Sequence, residues 1–317
     1  MLLRRGVLAL VAVAATILAA NAETVLRIGD QKGNARAALE AAGALVGLNY
    51  RIDWSEFPAA APLLEAAGAG AIDAGTVGDA PFTFAVAAGA PIKAIEATRS
   101  GLEGLAVVVR GDSPTKSFRD LVGKRIATGK GSIGHQLVLA LLEANGLTTS
   151  DVQLTFLLPS DAAVALRTGA IDAWATWDPY TAQVEISAGG RRIADAVGLT
   201  PGLSFFFARD DALASPEKRA ALADFVARLA KARRWALAHL DFYARSWSAL
   251  VGLPPEVGER VYGRGRYRVS PIDESVVADE QKTIDLYLRS GLIKTRLDAA
   301  RIVSPIFTPA IAAELTP

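Results

Sequence analysis

Arg27-Ile28-Gly29-Asp30-Gln31-Lys32-Gly33 is echoed by Arg125-Ile126-Ala127-Thr128-Gly129-Lys130-Gly131, 98 residues further on. A second pair follows in the same order, Gly70-Ala71-Ile72-Asp73-Ala74 and Gly169-Ala170-Ile171-Asp172-Ala173, at an offset of 99. Nine residues after the first Gly of each later box stands an Asp, Asp79 or Asp178. Two ordered matches at nearly one spacing predict two lobes of similar design. Paired lobes leave a cleft between them, and such clefts are where small ligands bind.

The segments around the boxes read as alternating strands and helices. Residues 25–29, 50–54 and 71–76 have strand character, and 35–44, 60–69 and 81–88 carry apolar residues at helical spacing. Alternation at this spacing means βα units and a largely parallel sheet. Residues 94–97 and 105–109 add two strands, and the turn-rich Arg110-Gly111-Asp112-Ser113-Pro114 is expected to cross between lobes. The order repeats from 125 to 178, and the apolar run 203–208 is expected to cross back. The predicted division is residues 1–22, then 23–108 with 209–317 as lobe I, and 109–208 as lobe II. Residues 216–250 read as helical with few breaks, and the C-terminal third offers no chemistry of its own.

The first 22 residues have the pattern of a cleaved secretory signal: Arg4 and Arg5, an apolar run from Gly6 to Ala19, then Ala20-Asn21-Ala22. The expected location is periplasmic, with a mature chain starting at Glu23. The chain has no cysteine, so zinc–thiolate sites, cysteine nucleophiles and a lipid anchor are excluded. Two histidines leave no multi-histidine metal site, and no cofactor is expected. The formal charge of +1 falls slightly below neutral once Arg4 and Arg5 are removed, which gives nucleic acid no electrostatic footprint. A mature length of about 295 residues suits two compact domains and a monomer.

Several residues have the chemistry to hold an oxyanion. Lys130-Gly131-Ser132-Ile133-Gly134-His135 joins a strand to a helix, where unpaired backbone N–H groups attract anions and Ser132 adds a hydroxyl. The same geometry is expected at Gln31-Lys32-Gly33-Asn34, with the Gln31 amide as donor. Ordinary strand–helix turn chemistry accounts for these residues equally well. Asp79 and Asp178 each precede a proline and a helix, so each is a helix cap, a cleft residue at the carboxyl edge of the strands, or both. Trp174, Trp177 and Tyr180 form an aromatic cluster opposite Gly75, Gly78 and Pro81 or Phe82, either as a slot for an apolar group or as core. Trp174 and Trp177 are three apart, so in a straight strand they face opposite ways and one is core. Ser204 and Phe205 follow the same logic. Ser132 and His135 form no nucleophile elbow, and catalysis is not expected.

Taken together, these motifs resemble the periplasmic aliphatic-sulfonate-binding proteins of ATP-driven importers, in the nitrate, sulfonate and taurine group. The resemblance rests on Arg27-Ile28-Gly29 with Gln31-Lys32-Gly33, Trp54-Ser55-Glu56-Phe57, Pro62-Leu63-Leu64-Glu65-Ala66 and Gly78-Asp79-Ala80-Pro81. It continues through Lys130-Gly131-Ser132, Pro159-Ser160-Asp161-Ala162, Asp172-Ala173-Trp174, Trp177-Asp178-Pro179-Tyr180 and Ser204-Phe205-Phe206, and weakens past about residue 209. It implies an α/β, type II periplasmic binding fold: two α/β lobes joined by two crossing strands around a ligand cleft. By position it implies a pocket of Gln31, Gly78, Asp79, Ser132, Trp177 and Asp178. Its implied ligand is a small organic anion, a sulfonate first, and its partner an inner-membrane ABC permease with its ATPase. A nitrate, taurine or sulfate-ester binder and a cofactor-precursor enzyme on the same fold are the alternatives, and the chain is read as a binder, not an enzyme. Where such proteins often have Gln-Lys-Gly-Ser-Ser, this chain has Gly129 and Ile133 in place of the Gln and second Ser, and so lacks one amide and one hydroxyl. Phe206-Phe207 replaces Tyr-Leu and makes the pocket edge more apolar.

Overall fold

The repeated boxes meet in space. In the computed structural model, which describes residues 23–315, the backbone N–H of Arg27 donates to Asp73 Oδ2 at 2.9 Å. The Arg27 guanidinium reaches Asp73 Oδ1 at 2.5 Å and the Gly70 carbonyl at 2.7 Å. The second copy does the same: Arg125 N–H to Asp172 Oδ2 at 2.9 Å, and its guanidinium to Asp172 Oδ1 at 3.1 Å and Gly169 O at 3.0 Å. Each box pair is thus one clip that ties the first of a lobe's three parallel strands to the residue before the third of them. The expected signal segment, residues 1–22, lies outside the described residues.

The first lobe opens with β1 (Val25–Gln31), α1 (Asn34–Ala41), β2 (Arg51–Phe57), α2 (Ala60–Gly68), β3 (Ala74–Gly78), α3 (Asp79–Ala87) and β4 (Ile92–Arg99). The chain then crosses to β5 (Ala106–Val109), β6 (Arg125–Thr128), α4 (Ile133–Ala144) and β7 (Gln153–Phe156). The second lobe continues with α5 (Pro159–Thr168), β8 (Ala173–Thr176), α6 (Tyr180–Ser187) and β9 (Arg191–Asp195). The return brings β10 (Leu203–Arg209), α7 (Asp210–Ala214), α8 (Pro216–Ala238), α9 (Leu240–Val251) and α10 (Pro255–Gly265). The remaining elements are β11 (Arg268–Ser270), α11 (Glu274–Arg289), α12 (Ala299–Ile302) and α13 (Thr308–Leu315).

The strand orders are β11-β4-β10-β3-β1-β2 and β7-β6-β8-β5-β9. In each sheet the clipped strand is parallel to both neighbours, β1 to β2 and β3, β6 to β7 and β8. In each, the antiparallel strand beside them arrives from the other lobe: β10 pairs with β3 and β4, and β5 with β8 and β9. This exchange is what makes two crossings, and it shifts the expected boundaries. A division at 108/109 would cut β5, and one at 208/209 would assign β10 to the wrong sheet. The crossings are residues 100–105 and 196–202, while the turn at Arg110–Pro114 stays inside the second lobe.

Both faces of each sheet are covered. In lobe I, Leu26, Ile28, Phe206, Phe225 and Leu229 bury one face under α1, α8 and α9, and Leu63, Phe205, Phe207, Ile284 and Tyr287 bury the other under α2, α3 and α11. The alternation along Phe205-Phe206-Phe207 follows the strand period of two. The expected long helix of residues 216–250 is two helices that meet at His239, whose φ of −129° ends α8. Among the described residues no helix is long and apolar enough to cross a membrane.

Candidate functional site

The carboxyl ends of β1 and β3 face the starts of α4 and α6 across a cleft of about 180 Å³. That is close to the ~150 Å³ that admits a benzene-sized guest. Of the residues singled out in the sequence, Gln31, Gly78, Asp79, Ser132, Trp177, Asp178 and Ser204 line it. Trp174 and Phe205 do not. Trp174 is 2 % exposed and packs with Val108 and Ala127 on the far face of its sheet. Phe205 is fully buried against Phe82, on the opposite side of β10 from Ser204.

The residues on lobe I are held from within. Gln31 Nε2 donates to the Thr76 carbonyl at 2.7 Å, which fixes the amide at the cleft edge. The expected anion site at the start of α1 is already filled by the protein itself. The Asp30 carboxylate accepts from the N–H groups of Gln31, Ala35 and Arg36. Burial pushes this carboxyl up to about 6 against the pull of those amides. Gly78 precedes α3, and a side chain there would strike Ile133 of the other lobe at 2.5 Å, so this glycine serves the close approach of the lobes. Asp79 is the first residue of α3, after Gly78 at the N-cap position. Its Oδ2 accepts from Gln136 Nε2 at 3.2 Å and Thr283 Oγ1 at 2.7 Å, and burial raises its pKa despite these bonds.

On lobe II, Ser132 is the N-cap of α4 and accepts from His135 N–H at 3.2 Å. Gly131 before it has φ +71°, and a Cβ there would meet the Phe84 ring at 2.6 Å. His135 Nδ1 accepts from Gly131 N–H. Burial and the nearby Lys130 charge push the ring down to about 4, so it is neutral at pH 7. Trp177 meets Tyr180 edge to face at 5.9 Å. Asp178 accepts from Ala182 N–H in the first turns of α6 and from Arg264 Nη2 at 2.5 Å and Nε at 2.7 Å. Burial raises its pKa, and Arg264 opposes this.

The two jaws touch directly. Besides Gln136–Asp79 and Arg264–Asp178, Tyr180 Oη donates to Pro58 O at 2.8 Å, and Tyr287 Oη reaches Gly131 O at 3.1 Å. The lobes are therefore in direct contact with each other.

Sequence reasoning missed two groups. Thr76 in β3 is 4 % exposed, lines the cleft, and its Oγ1 has no partner among the described residues; Thr200 Oγ1 in the return crossing is likewise without one. A threonine inside the apolar run Ala74-Gly75-Thr76-Val77-Gly78 was the available signal. The other group is the wall from α8 to α10 and the segment after it: Arg233, Leu237, Tyr243, Trp247, Tyr262 and Tyr267. It corrects the expectation that the C-terminal third is inert, and no local pattern marks it.

A family model described as NMT1/THI5 like matches residues 56–240. The chain belongs to this family. It is homologous to sulfonate- and taurine-binding periplasmic proteins of ABC transporters, and it is an ABC transporter solute-binding protein of that superfamily. The provisionally named aliphatic sulfonates-binding protein of Escherichia coli (strain K12) is 33 % identical over 89 % of both chains. The alkanesulfonate-binding protein SsuA of Xanthomonas axonopodis pv. citri, solved bound to MOPS, is 31 % identical with a TM-score of 0.82, covering 89 % of this chain and 99 % of that one. The periplasmic aliphatic sulphonate binding protein SsuA of Escherichia coli is 31 % identical with a TM-score of 0.77, over 89 % and 92 %. These matches place the two-lobed α/β architecture in the type II periplasmic binding fold.

One expectation is overturned. The chain was read as a binder and not an enzyme, but the desulfurization enzyme DSZB has the same fold, with a TM-score of 0.68 over 93 % of this chain at 17 % identity. A variant of that enzyme solved with biphenyl-2-sulfinic acid aligns as well, with a TM-score of 0.68 at 18 % identity. The architecture hosts a catalyst of sulfur chemistry beside the binders, so the fold does not set catalysis aside.

Proposed function

We propose that the protein captures an aliphatic sulfonate, or a related organic oxyanion such as a sulfate ester, and delivers it to an inner-membrane permease driven by an ATPase. The reading rests most on Thr76, whose buried Oγ1 lacks a partner at the rim of the cleft. A buried hydroxyl left unpaired costs free energy, and an ionised acceptor in the cleft removes that cost. Ser132 and the first N–H groups of α4 add donors from the other lobe. A sulfonate stays ionised and only accepts, which suits neutral donors. Trp177 and Tyr180 give its organic part an apolar wall, which nitrate would leave uncovered. The names of the relatives favour the same ligand class. Arg4, Arg5 and the apolar run behind them favour export to the periplasm.

Closure does the energetic work. With the lobes apart the donors are hydrated. With the lobes together, water leaves and each charge-assisted bond strengthens in the lower dielectric. Thermal-shift measurement of the mature protein against alkanesulfonates, sulfate esters, taurine, nitrate and sulfate tests the reading. A ligand at a hundredfold excess over its Kd stabilises by about 2.7 kcal/mol, a few degrees for a chain of this size. An alkanesulfonate is expected to give that shift, and nitrate is not. A shift with nitrate alone would overturn the assignment.

A further inference from the structure

One part of the cleft is lined by lobe I alone, and this part is its lobe I arm. Its walls are Asn34 of α1, Arg233 of α8, Tyr243 and Trp247 of α9, Tyr262 of α10 and Tyr267. Three features fix its chemistry. Arg233 is 7 % exposed, and its guanidinium is held by Glu96 Oε1 at 2.6 Å and Asn34 Oδ1 at 3.2 Å, so a buried ion pair sits in the arm with its direction set. Tyr262 Oη donates to Tyr243 Oη at 3.4 Å, which leaves the Tyr243 proton without an acceptor among the described residues. The Tyr267 hydroxyl lines the arm with no hydrogen-bond partner of its own among those residues. The remaining surface is aromatic: Tyr243 and Tyr262 lie 4.6 Å apart, and Trp247 meets Tyr262 edge to face at 5.3 Å.

The carboxylates near the arm are engaged, except that the buried Oε2 of Glu96 has no hydrogen-bond partner among the described residues. Asp79 is shared by Gln136 and Thr283, Asp178 is paired with Arg264, Asp30 binds the start of α1, and Glu96 is paired with Arg233. An ammonium group entering here would meet a guanidinium already neutralised by Glu96 and phenol groups with protons to donate. An alkyl tail would fit the rings and leave two phenol protons unanswered.

We propose that this arm receives the far end of the ligand, and that this end carries an uncharged hydrogen-bond acceptor such as an ether or hydroxyl oxygen. The inference rests on the sulfonate reading of the same cleft and narrows it to tails that carry such an acceptor. Tyr243 and Tyr267 supply the protons, and an ammonium, which only donates, leaves those protons unanswered while it loses its own hydration.

Three probes of equal chain length separate the possibilities by calorimetry: 1-pentanesulfonate, 3-methoxypropane-1-sulfonate and 4-aminobutane-1-sulfonate. In a purely apolar arm the ether oxygen would be buried unpaired and bind about tenfold or more weaker than the alkane. In this arm the ether is expected to bind at least as tightly as the alkane, and the amine more than tenfold weaker than either. In Tyr243→Phe with Tyr267→Phe the ether-to-alkane affinity ratio is expected to fall about fivefold or more. If the double variant does not fold, Tyr267→Phe alone, at the less buried of the two rings, is read for the same ratio. A tenfold preference for the alkane in the parent protein, an unchanged ratio in the variants, or an amine equal to the ether overturns the proposal while the sulfonate reading stands. If none of the three probes binds, both fall together.

Discussion

Replacing Asp73 and Asp172 by alanine, one at a time, tests whether the repeated boxes are scaffold clips of unequal depth. Asp73 is 1 % exposed and takes bonds from Arg27 N–H, the Arg27 guanidinium and Lys218 Nζ at 2.8 Å. Its removal strands two cations and a backbone donor. Breaking a buried pair from one side costs about 3–5 kcal/mol. Arg27 is 38 % and Lys218 29 % exposed, so both regain water in the variant, and the lower end, about 3 kcal/mol, is expected. At roughly 2 °C per kcal/mol for a chain of this size, the Asp73→Ala midpoint falls by about 6 °C. Asp172 is 32 % exposed and among the described residues is ion-paired with Arg125 alone, itself 43 % exposed, so its loss is expected to move the midpoint by less than half as much. The Arg27 and Lys218 contacts hold Asp73 below the usual carboxylate range. Its contribution is therefore present at neutral pH and is lost only as pH falls below about 4, so the two variants should converge in strong acid. The assay is thermal unfolding from pH 3 to 7, with ligand affinity measured alongside. Equal destabilisation by both substitutions, or a loss of affinity at unchanged stability, would refute the reasoning, because the clips lie at the strand ends away from the cleft.

Two further outcomes follow from the site. Thr76→Val keeps the shape of β3 and removes the unpartnered hydroxyl. Calorimetry should show sulfonate binding weakened about ten- to a hundredfold, the value of a hydrogen bond to a charged group, with the unliganded midpoint unchanged or higher. Asp30 and His135 pull stability in opposite directions over one pH window. Asp30 titrates near 6 in the folded protein against about 3.9 unfolded, so it adds stability as pH falls through 6. His135 titrates near 4 against about 6.5 unfolded, so its neutral burial removes stability over the same fall. Each is of order 3 kcal/mol, and together they nearly cancel. His135→Gln should leave a protein whose unfolding free energy rises from pH 7 to 4.5, and Asp30→Asn one in which it drops. A flat profile in both variants contradicts these environments.

Much of the architecture was legible because it is local and repeated. The Arg box and the Gly-Ala-Ile-Asp-Ala box announced paired lobes, although what they encode is the Arg27–Asp73 and Arg125–Asp172 clip and not the ligand site. Gln31, Gly78, Ser132, Trp177 and Asp178 stand at strand-to-helix turns, and turns at the carboxyl edge of a parallel sheet converge by topology. Trp174 and Phe205 failed for the reason their spacing already implied: neighbours along a strand alternate between cleft and core. The chain crossings were misplaced because strand exchange is invisible locally. Nothing in Leu105–Val109 says that it pairs with β8 and β9. The lobe I arm was illegible because its pieces, Asn34, Arg233 and Tyr262, are brought together only by the packing of α8–α10 on α1, across some two hundred residues of chain. The start of α1 was misread for a chemical reason: a helix start that attracts anions is satisfied equally well by a carboxylate of the protein, here Asp30.

The central claim, that a sulfonate sits between the lobes at Thr76 and Ser132, can be tested by the ligand's own sulfur. The chain has no cysteine and a single methionine, Met1, so protein processed after Ala22 contains no sulfur at all. Long-wavelength anomalous diffraction from crystals grown with 1-pentanesulfonate should give one sulfur peak per chain. A sulfonate oxygen should lie about 2.7–3.0 Å from Thr76 Oγ1, with the α4 amides behind Ser132 facing the same group. A peak elsewhere on the surface, or no peak from a ligand that calorimetry shows to bind, would contradict the account.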